Sequence, residues 1–250
     1  MTNVIEVQNL SKQFKIDGPV KKFFLSRFTN VISGVGHKRK LLPLRDINFE
    51  VGIGEKLGFI GRNGAGKSTL LKLISGIYQT KTGKIIVNGS LIYLSNLSNG
   101  LKQRLSVKDN IFLVGGIFGL STKEIKKLYN RIVEFSDLEK FVDSKFYQLS
   151  SGMQQRISFS ITMHCLEFLN PDIMLLDEVL PEFGDEEFKN KSNKKIQELI
   201  SGGKTVIIVS HNLNTIQKFC SRVLWLNGGQ LMKQGNPKEI IDEYLKFIEE

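Results

Sequence analysis

The chain has 250 residues, of which 41% are hydrophobic and 24% charged, and these proportions are those of a folded domain rather than a disordered segment. No apolar run approaches the roughly 18 to 20 residues that cross a bilayer, and the first residues lack the basic and apolar regions of a secretory signal. We therefore expect a single domain over residues 1–250 that stays in the cytosol. Its two cysteines, Cys165 and Cys220, are expected to be reduced and buried.

The formal charge of +10 is concentrated in one stretch of the chain. Residues 18–45 hold seven of the 35 basic residues and no acidic ones, which leaves 28 basic against 25 acidic residues elsewhere. Within this stretch, apolar residues recur at helical spacing, which predicts a basic amphipathic helix over residues 19–31. Such a helix either packs on its own domain or lies on a membrane surface or a partner. The charge alone fits nucleic acid, anionic lipid or an acidic protein equally.

The phosphate-binding pattern G-x-x-x-x-G-K-[ST] is the strongest motif in the first third of the chain. Its residues are Gly61, Arg62, Asn63, Gly64, Ala65, Gly66, Lys67 and Ser68. An apolar strand precedes the motif and a helix with Thr69 in its first turn follows, as the motif requires. The glycines let backbone N–H groups and the helix N-terminus converge on phosphate. We expect Lys67 to neutralise phosphate charge and Ser68 to hold Mg²⁺.

Two alternating segments, residues 4–8 and 47–51, predict half-buried strands ahead of this motif. Phe14 follows the first segment. Its ring either stacks on a nucleotide base or packs in the first sheet, and the local pattern favours neither.

The pattern becomes helical from about residue 100 to residue 165, after two more predicted strands that end at residue 94. Ser106 with Asp109, and Ser121 with Glu124, have the spacing of capping boxes. This region predicts an inserted helical subdomain. At its end, a polar turn at residues 149–152 enters one more helix.

Two carboxylates, Asp177 and Glu178, follow four apolar residues that predict a buried parallel strand. Sheets of this kind bind ligands at the carboxyl ends of their strands, and buried acidic pairs are costly without a role. We expect Asp177 to hold Mg²⁺ through water and Glu178 to activate the attacking water. His211 follows the next apolar strand and is expected to sense the γ-phosphate. A hairpin at residues 223–233 and a helix from Pro237 complete the chain.

Together, these motifs resemble the ATP-binding cassette (ABC) ATPases over essentially the whole chain. The resemblance implies an α/β P-loop NTPase fold with a RecA-like parallel core, an N-terminal antiparallel β subdomain and an inserted α-helical subdomain. It also implies a homodimer that sandwiches two ATP molecules with Mg²⁺. Phe14 would stack on adenine, and Lys67, Glu178 and His211 would act in catalysis. The signature residues would meet the γ-phosphate of the other subunit: Ser150, Ser151 and Gly152.

The sequence is further similar to the ATPase subunits that export bacterial O-antigen, capsule or teichoic-acid polymers. The similarity lies in Ser150-Ser151-Gly152-Met153, in Asp177-Glu178-Val179-Leu180 and in the basic segment before the phosphate-binding motif. It implies polytopic transmembrane permease partners and a lipid-linked polysaccharide substrate. It also implies a peripheral place on the cytoplasmic face of the bacterial plasma membrane, with residues 19–31 near the membrane surface. No appended carbohydrate-binding domain is expected.

Three positions depart from the family pattern. The glutamine usual after the strand at residues 91–94 is missing, and Asn96 is the nearest candidate for its contact with the metal. Residues 181–183 make the segment before Asp185 one residue longer than usual. Met153 replaces the signature glutamine, as it does in the resembling subfamily.

Two other functions compete with a transporter subunit. A soluble ATPase of this fold could act on nucleic acid or ribosomes through residues 18–45, but such proteins usually carry tandem cassettes or long coiled coils. This chain has neither, so nucleic acid is not the expected partner. A nucleotide-controlled interaction module without catalysis is disfavoured because the catalytic set is complete.

Overall fold

The computed structural model describes residues 2–16, 39–97, 100–179 and 185–249. In this part of the chain the strands are β1 (Asn3–Ile16), β2 (Arg39–Gly52), β3 (Lys56–Ile60), β4 (Thr82–Val87), β5 (Leu91–Leu94), β6 (Ile173–Asp177), β7 (Thr205–Val209), β8 (Arg222–Asn227) and β9 (Gln230–Gly235). The helices are α1 (Lys67–Ile74), α2 (Val107–Ile117), α3 (Thr122–Ser136), α4 (Ser151–Leu169), α5 (Glu186–Ser201), α6 (Leu213–Phe219) and α7 (Pro237–Glu249).

A six-stranded sheet in the order β5-β6-β7-β3-β8-β9 forms the platform of the molecule. Its neighbouring strands are parallel except for the β8–β9 hairpin. Every residue of β6 and β7 is buried, because α1 and the strands β1 and β2 cover one face and helices such as α4 and α5 cover the other. The strands β6, β7 and β3 are adjacent, so their carboxyl ends lie side by side at one edge.

A smaller antiparallel sheet in the order β2-β1-β4 is built from the N-terminal part of the chain. The two predicted strands at residues 4–8 and 47–51 lie in the first half of β1 and the last half of β2, which are each 14 residues long. Their outer ends also pair, with Phe14 opposite Leu41. The predicted basic helix over residues 19–31 and the longer segment at residues 181–183 lie outside the described residues.

The helices α2, α3 and α4 pack around an apolar cluster of their own that includes Ile111, Leu128 and Ile157. Both predicted capping boxes are confirmed at the starts of α2 and α3. Ser106 Oγ, for example, accepts from the Asp109 N–H at 3.0 Å, and the Asp109 carboxylate accepts from the Ser106 N–H at 3.3 Å. These paired bonds satisfy N–H groups that a helix start leaves without partners. The architecture confirms the predicted α/β fold with its antiparallel sheet and helical insert.

Gly58 shows how tightly the central strand β3 packs beneath α6. A Cβ added at Gly58 would lie 2.7 Å from Ile216 Cγ2 and 3.1 Å from Cys220 Sγ. Gly116 in α2 offers a contrast, since a Cβ there would meet no atom within 4 Å.

We expect Gly58→Ala to lower the free energy of unfolding by about 1 to 3 kcal/mol, because overpacking forces neighbouring side chains to move. The matched variant Gly116→Ala should raise it by up to about 1 kcal/mol, since alanine favours the helix. Urea unfolding of both variants checks this. A neutral Gly58→Ala would mean that the space above β3 is looser than the structure shows.

Candidate functional site

The phosphate-binding loop connects β3 to α1 and leaves the first turn of α1 without a side-chain cap. Gly66, the residue before α1, has φ of +105° and no side chain that could cap the first turn of the helix. A Cβ at Gly66 would lie 2.7 Å from both Pro43 O and Leu44 Cδ2, so only glycine fits there. The N–H groups at the start of α1 are therefore available to an anion, and the helix dipole favours one.

Lys67 is folded back over this loop. Its Nζ donates to Gly61 O at 2.7 Å and to Arg62 O at 3.3 Å, and the residue is buried. Burial lowers the pKa of the Lys67 ammonium, whereas the negative charges of Glu178 and Asp177 oppose that shift. The structure thus brings the predicted lysine together with both predicted carboxylates.

Asp177, at the end of β6, is buried and accepts two hydroxyl hydrogen bonds. Ser68 Oγ donates to Asp177 Oδ1 at 3.1 Å, and Tyr93 OH donates to Asp177 Oδ2 at 3.0 Å. A hydroxyl beside a carboxylate is a donor set that suits Mg²⁺. Within the described ranges no group of three or more His, Cys, Asp or Glu could hold a metal ion. A metal here would therefore take its remaining ligands from water and phosphate oxygens, as Mg²⁺ usually does.

Glu178 and His211 meet across the ends of β6 and β7. The Glu178 backbone has φ of +58°, in the left-handed region, while its N–H still donates to Val209 O at 2.9 Å. Its carboxylate accepts from the His211 N–H at 3.2 Å, and His211 Nε2 lies 3.4 Å from Glu178 Oε1. Non-glycine residues in this backbone region are strained, and such strain concentrates at functional sites.

Phe14 lies at the far end of β1 in an aromatic and basic cluster. Its ring meets Tyr78 edge-on with centroids 5.4 Å apart, and Lys12 Nζ lies 4.9 Å from the Phe14 centroid. The Lys12 side chain also donates to Gln79 O. The ring is only partly buried, so the described packing leaves part of it accessible. Base stacking by Phe14 remains a prediction.

The signature residues lie at the start of α4. Ser150 is the N-cap, and its Oγ accepts from the Met153 N–H at 3.3 Å. Ser150 and Ser151 are exposed, and a Cβ at Gly152 would meet nothing within 4 Å. In the described part of the chain no hydrogen bond joins residues 150–152 to the phosphate-binding loop. Their surface is thus open to another molecule.

Two side chains near the predicted set were missed in the sequence. Tyr93 is the one β5 residue with a hydroxyl, and β5 lies beside β6 in parallel register, which would have placed it near Asp177.

Arg156, the second of these side chains, links α4, the helix that the signature residues begin, to α5. It pairs with Asp185, the N-cap of α5, and Arg156 Nη1 lies 3.2 Å from Asp137 Oδ2. Asn96 is exposed just beyond β5, and its metal contact remains a prediction.

Comparison with known proteins identifies the family. A family model described as ABC transporter matches residues 44–181, more than half of the chain. The chain belongs to the ABC transporter family. None of the described helices in this ABC cassette combines the length and apolar character that crossing a bilayer requires.

Curated relatives of this ABC cassette include ATP-binding proteins of teichoic-acid and O-antigen export. The teichoic acids export ATP-binding protein TagH of Lactococcus lactis is 40% identical over 245 residues, which are 98% of this chain and 51% of TagH. The O-antigen export system ATP-binding protein RfbB of Klebsiella pneumoniae is 35% identical over 250 residues, which are 98% of each chain. The cassette spans about half the length of several relatives, for example 44% of TagH from Bacillus cereus.

Solved ABC structures share the fold of this cassette. The dimeric ATP-binding cassette MJ0796 in a post-hydrolysis state with ADP and phosphate has a TM-score of 0.69. It is 22% identical, and the match covers 93% of this chain and 98% of that chain. An ATP-binding subunit of another ABC transporter has a TM-score of 0.68, also at 22% identity, with coverage of 96% and 93%. The predicted family and fold are both confirmed.

The strained backbone of Glu178 can be tested through stability. We expect Glu178→Gly to be more stable than Glu178→Ala, with a free energy of unfolding higher by about 1 kcal/mol. The reason is that glycine reaches the left-handed region without a Cβ clash. Both variants lose the same carboxylate contacts with His211. At the exposed helical residue Glu198 the order should reverse, with alanine more stable than glycine by a similar amount. Urea unfolding of the four variants would refute the strain if alanine were the more stable at both positions.

Proposed function

We propose that this chain is the ATP-hydrolysing nucleotide-binding subunit of an ABC transporter that exports a lipid-linked polysaccharide of O-antigen, capsule or teichoic-acid type. The observation that carries the proposal is the convergence of Lys67, Ser68, Asp177, Glu178 and His211 at one edge of the parallel sheet. Phosphoryl transfer requires a positive charge near the phosphates, ligands for Mg²⁺ and a positioned base. Lys67, the Ser68–Asp177 pair and Glu178 would supply these three.

ATP would bind with its phosphates at the start of α1. The free N–H groups of that turn would hold phosphate oxygens, and Lys67 would add a positive charge. Lys67 now donates to Gly61 O and Arg62 O, so its ammonium is already directed toward the loop that receives the phosphates. Ser68 and Asp177 would hold Mg²⁺, which neutralises phosphate charge and fixes the geometry of the reacting oxygens.

Glu178 would act as the general base. Its carboxylate stands at the end of β6, where the left-handed backbone turns the chain out of the strand. The His211 N–H holds one carboxylate oxygen, which limits rotation of the side chain. A carboxylate oriented in this way would accept a proton from the attacking water, and His211 would stand at the γ-phosphate side as a switch.

A second copy of the chain would complete each ATP site. Residues 150–152 form an exposed helix start that makes no hydrogen bond with the phosphate-binding loop of its own chain within the described residues. The capped start of α4 offers backbone N–H groups and a hydroxyl to an anion. We therefore infer a homodimer in which the signature residues of one copy meet the ATP held by the other. The cassette MJ0796, which shares this fold, is dimeric in its solved structure.

The polysaccharide substrate and the permease partner are inferred from the export proteins that the chain is similar to. The permease partner is also supported by an apolar groove of about 370 Å³ between the end of β5 and the helical subdomain. Its lining includes Leu97, Val114, Ile117 and Phe118, and Ile117 is 62% exposed. We propose that a cytoplasmic segment of the permease fills this groove. The subunit would then lie peripherally on the cytoplasmic face of the plasma membrane, with residues 19–31 toward the membrane surface.

Glu178→Gln should lower the rate of ATP hydrolysis by about 10² to 10⁴-fold, because a general base is removed while its shape is kept. ATP binding should persist, so the variant should accumulate as an ATP-bound dimer. Phosphate release and size-exclusion chromatography with ATP and Mg²⁺ measure the two effects. Glu198→Gln on the exposed face of α5 is the matched control and should behave like the parent. Parental hydrolysis by Glu178→Gln would remove the base assignment.

Ile117→Glu should abolish stimulation of ATP hydrolysis by the permease, because a charge in an apolar contact is costly. The basal rate of the isolated chain should stay within about twofold of the parent. Ile53, which is 65% exposed in the turn before β3, provides the control variant Ile53→Glu. Reconstitution with the membrane proteins that copurify from the native cell gives the readout. If Ile117→Glu is stimulated as strongly as the parent, the groove is not the docking site. If DNA or ribosomes stimulate the parent instead, the exporter assignment falls.

A further inference from the structure

Tyr93 occupies a special place between the edge of the sheet and the candidate metal site. Its strand, β5, is the outermost strand on one side of the six-stranded sheet and pairs with β6. Tyr93 lies opposite Leu175, two residues before Asp177, so its side chain runs along the sheet to the end of β6. The Tyr93 hydroxyl donates to Asp177 Oδ2 at 3.0 Å.

We propose that Tyr93 is a positioning residue of the metal site, whose hydroxyl fixes the Asp177 carboxylate so that its other oxygen faces Ser68. This inference rests on the proposed function, because the metal belongs to the nucleotide site. Tyr93 would not contact the metal or the substrate. It would act through Asp177, and its loss would weaken the metal rather than the nucleotide itself.

Two hydroxyls hold Asp177 from opposite sides. Ser68 Oγ donates to Oδ1 and Tyr93 OH donates to Oδ2, so each carboxylate oxygen has one short-range partner. Because Asp177 is 5% exposed, solvent is a poor substitute for either donor. If the Tyr93 hydroxyl were removed, Oδ2 would be left in a nearly dry environment beside the positive charge of Lys67. The carboxylate would then be free to rotate away from Ser68.

The surroundings of Tyr93 favour its neutral, hydrogen-bond-donating phenol. Burial raises the pKa of Tyr93, and the negative charge of Asp177 raises it further. The Ser95 side chain also hydrogen-bonds to the phenol. A series of hydrogen bonds therefore runs from Ser95 through Tyr93 to Asp177. Ser95 lies in the loop after β5, where the glutamine usual in the family is missing. Tyr93 and Ser95 both line the groove proposed for the permease.

Packing alone does not require the hydroxyl. Phenylalanine would fill nearly the same volume against the apolar cluster that Tyr93 joins, so Tyr93→Phe should fold as the parent does. The variant therefore removes the hydroxyl, with its hydrogen bonds to Asp177 and Ser95, and keeps the ring. Tyr129→Phe in α3 is the matched control, since that tyrosine belongs to the helical subdomain cluster.

The experiment titrates Mg²⁺ into the chain with ATP and measures bound nucleotide, with a parallel series in EDTA. For Tyr93→Phe we expect the Mg²⁺ concentration at half-saturation to rise about tenfold, as the loss of an outer hydrogen-bond partner of a metal ligand does. ATP binding in EDTA should stay within about twofold of the parent. Mn²⁺ binding followed by electron paramagnetic resonance gives a second readout that does not depend on turnover. Tyr129→Phe should match the parent in every series.

A double-variant series separates positioning from a general structural effect. If Tyr93 acts through Asp177, then Tyr93→Phe should add no further loss of Mg²⁺ affinity in an Asp177→Asn background. Ser95→Ala is a second probe, with an expected shift in the same direction of about two- to threefold. It carries the test if thermal unfolding shows that Tyr93→Phe is misfolded.

The outcomes separate this inference from the proposed function. If the parent binds ATP more tightly with Mg²⁺ but Tyr93→Phe needs no more metal, the positioning role is overturned while the nucleotide site stands. Equal losses in Mg²⁺ and in EDTA would also overturn it, because the defect would not be in the metal. If the parent does not bind ATP at all, the proposed function falls and the inference falls with it.

Discussion

The buried carboxylate of Asp177 is the constraint around which the candidate site is arranged. A charge at the end of a fully buried strand is tolerated only with partners, because moving a charge from water into a protein interior is costly. Ser68 from the phosphate-binding loop and Tyr93 from the neighbouring strand supply two hydrogen bonds, and the Lys67 ammonium supplies opposite charge. Two separate segments of the chain, the phosphate-binding loop and β5, are thus held to one side chain at the end of β6. The same partners that compensate the charge leave it in a suitable place for a divalent cation.

The candidate nucleotide site has two parts, one assembled within the chain and one exposed to another molecule. The phosphate-binding loop, Asp177 and the Glu178–His211 pair converge within one chain, whereas the signature residues at the start of α4 face outward. Arg156 links that helix start to Asp185 at the start of α5. Movement of α4 would therefore be transmitted to the start of α5. Under the proposed function, a second subunit at the start of α4 and a permease at the helical subdomain would both act on the nucleotide site.

Several elements could be predicted because their signals are local. The capping boxes at Ser106 and Ser121 depend on residues three apart, and the apolar runs of β6 and β7 reflect burial on both faces of a parallel sheet. The phosphate-binding motif specifies its own strand, turn and helix. Tyr93 could not be recognised in this way, because its hydroxyl acts on a residue 84 positions away in the sequence. The long pairing of β1 with β2 was likewise underestimated, since bulges interrupt its alternation.

The sequence by itself determined the family, the fold class and the identity of the residues at the phosphate-binding loop and the strand ends. These follow from short-range patterns, in which glycine, lysine and carboxylate positions carry their own physical reasons. Only the tertiary structure decided which of these residues touch and what else joins them. The order of strands in the sheet places β5 beside β6, and that adjacency brings Tyr93 to Asp177. Strand order is set by packing of the whole core, so no local pattern along the chain could have revealed it.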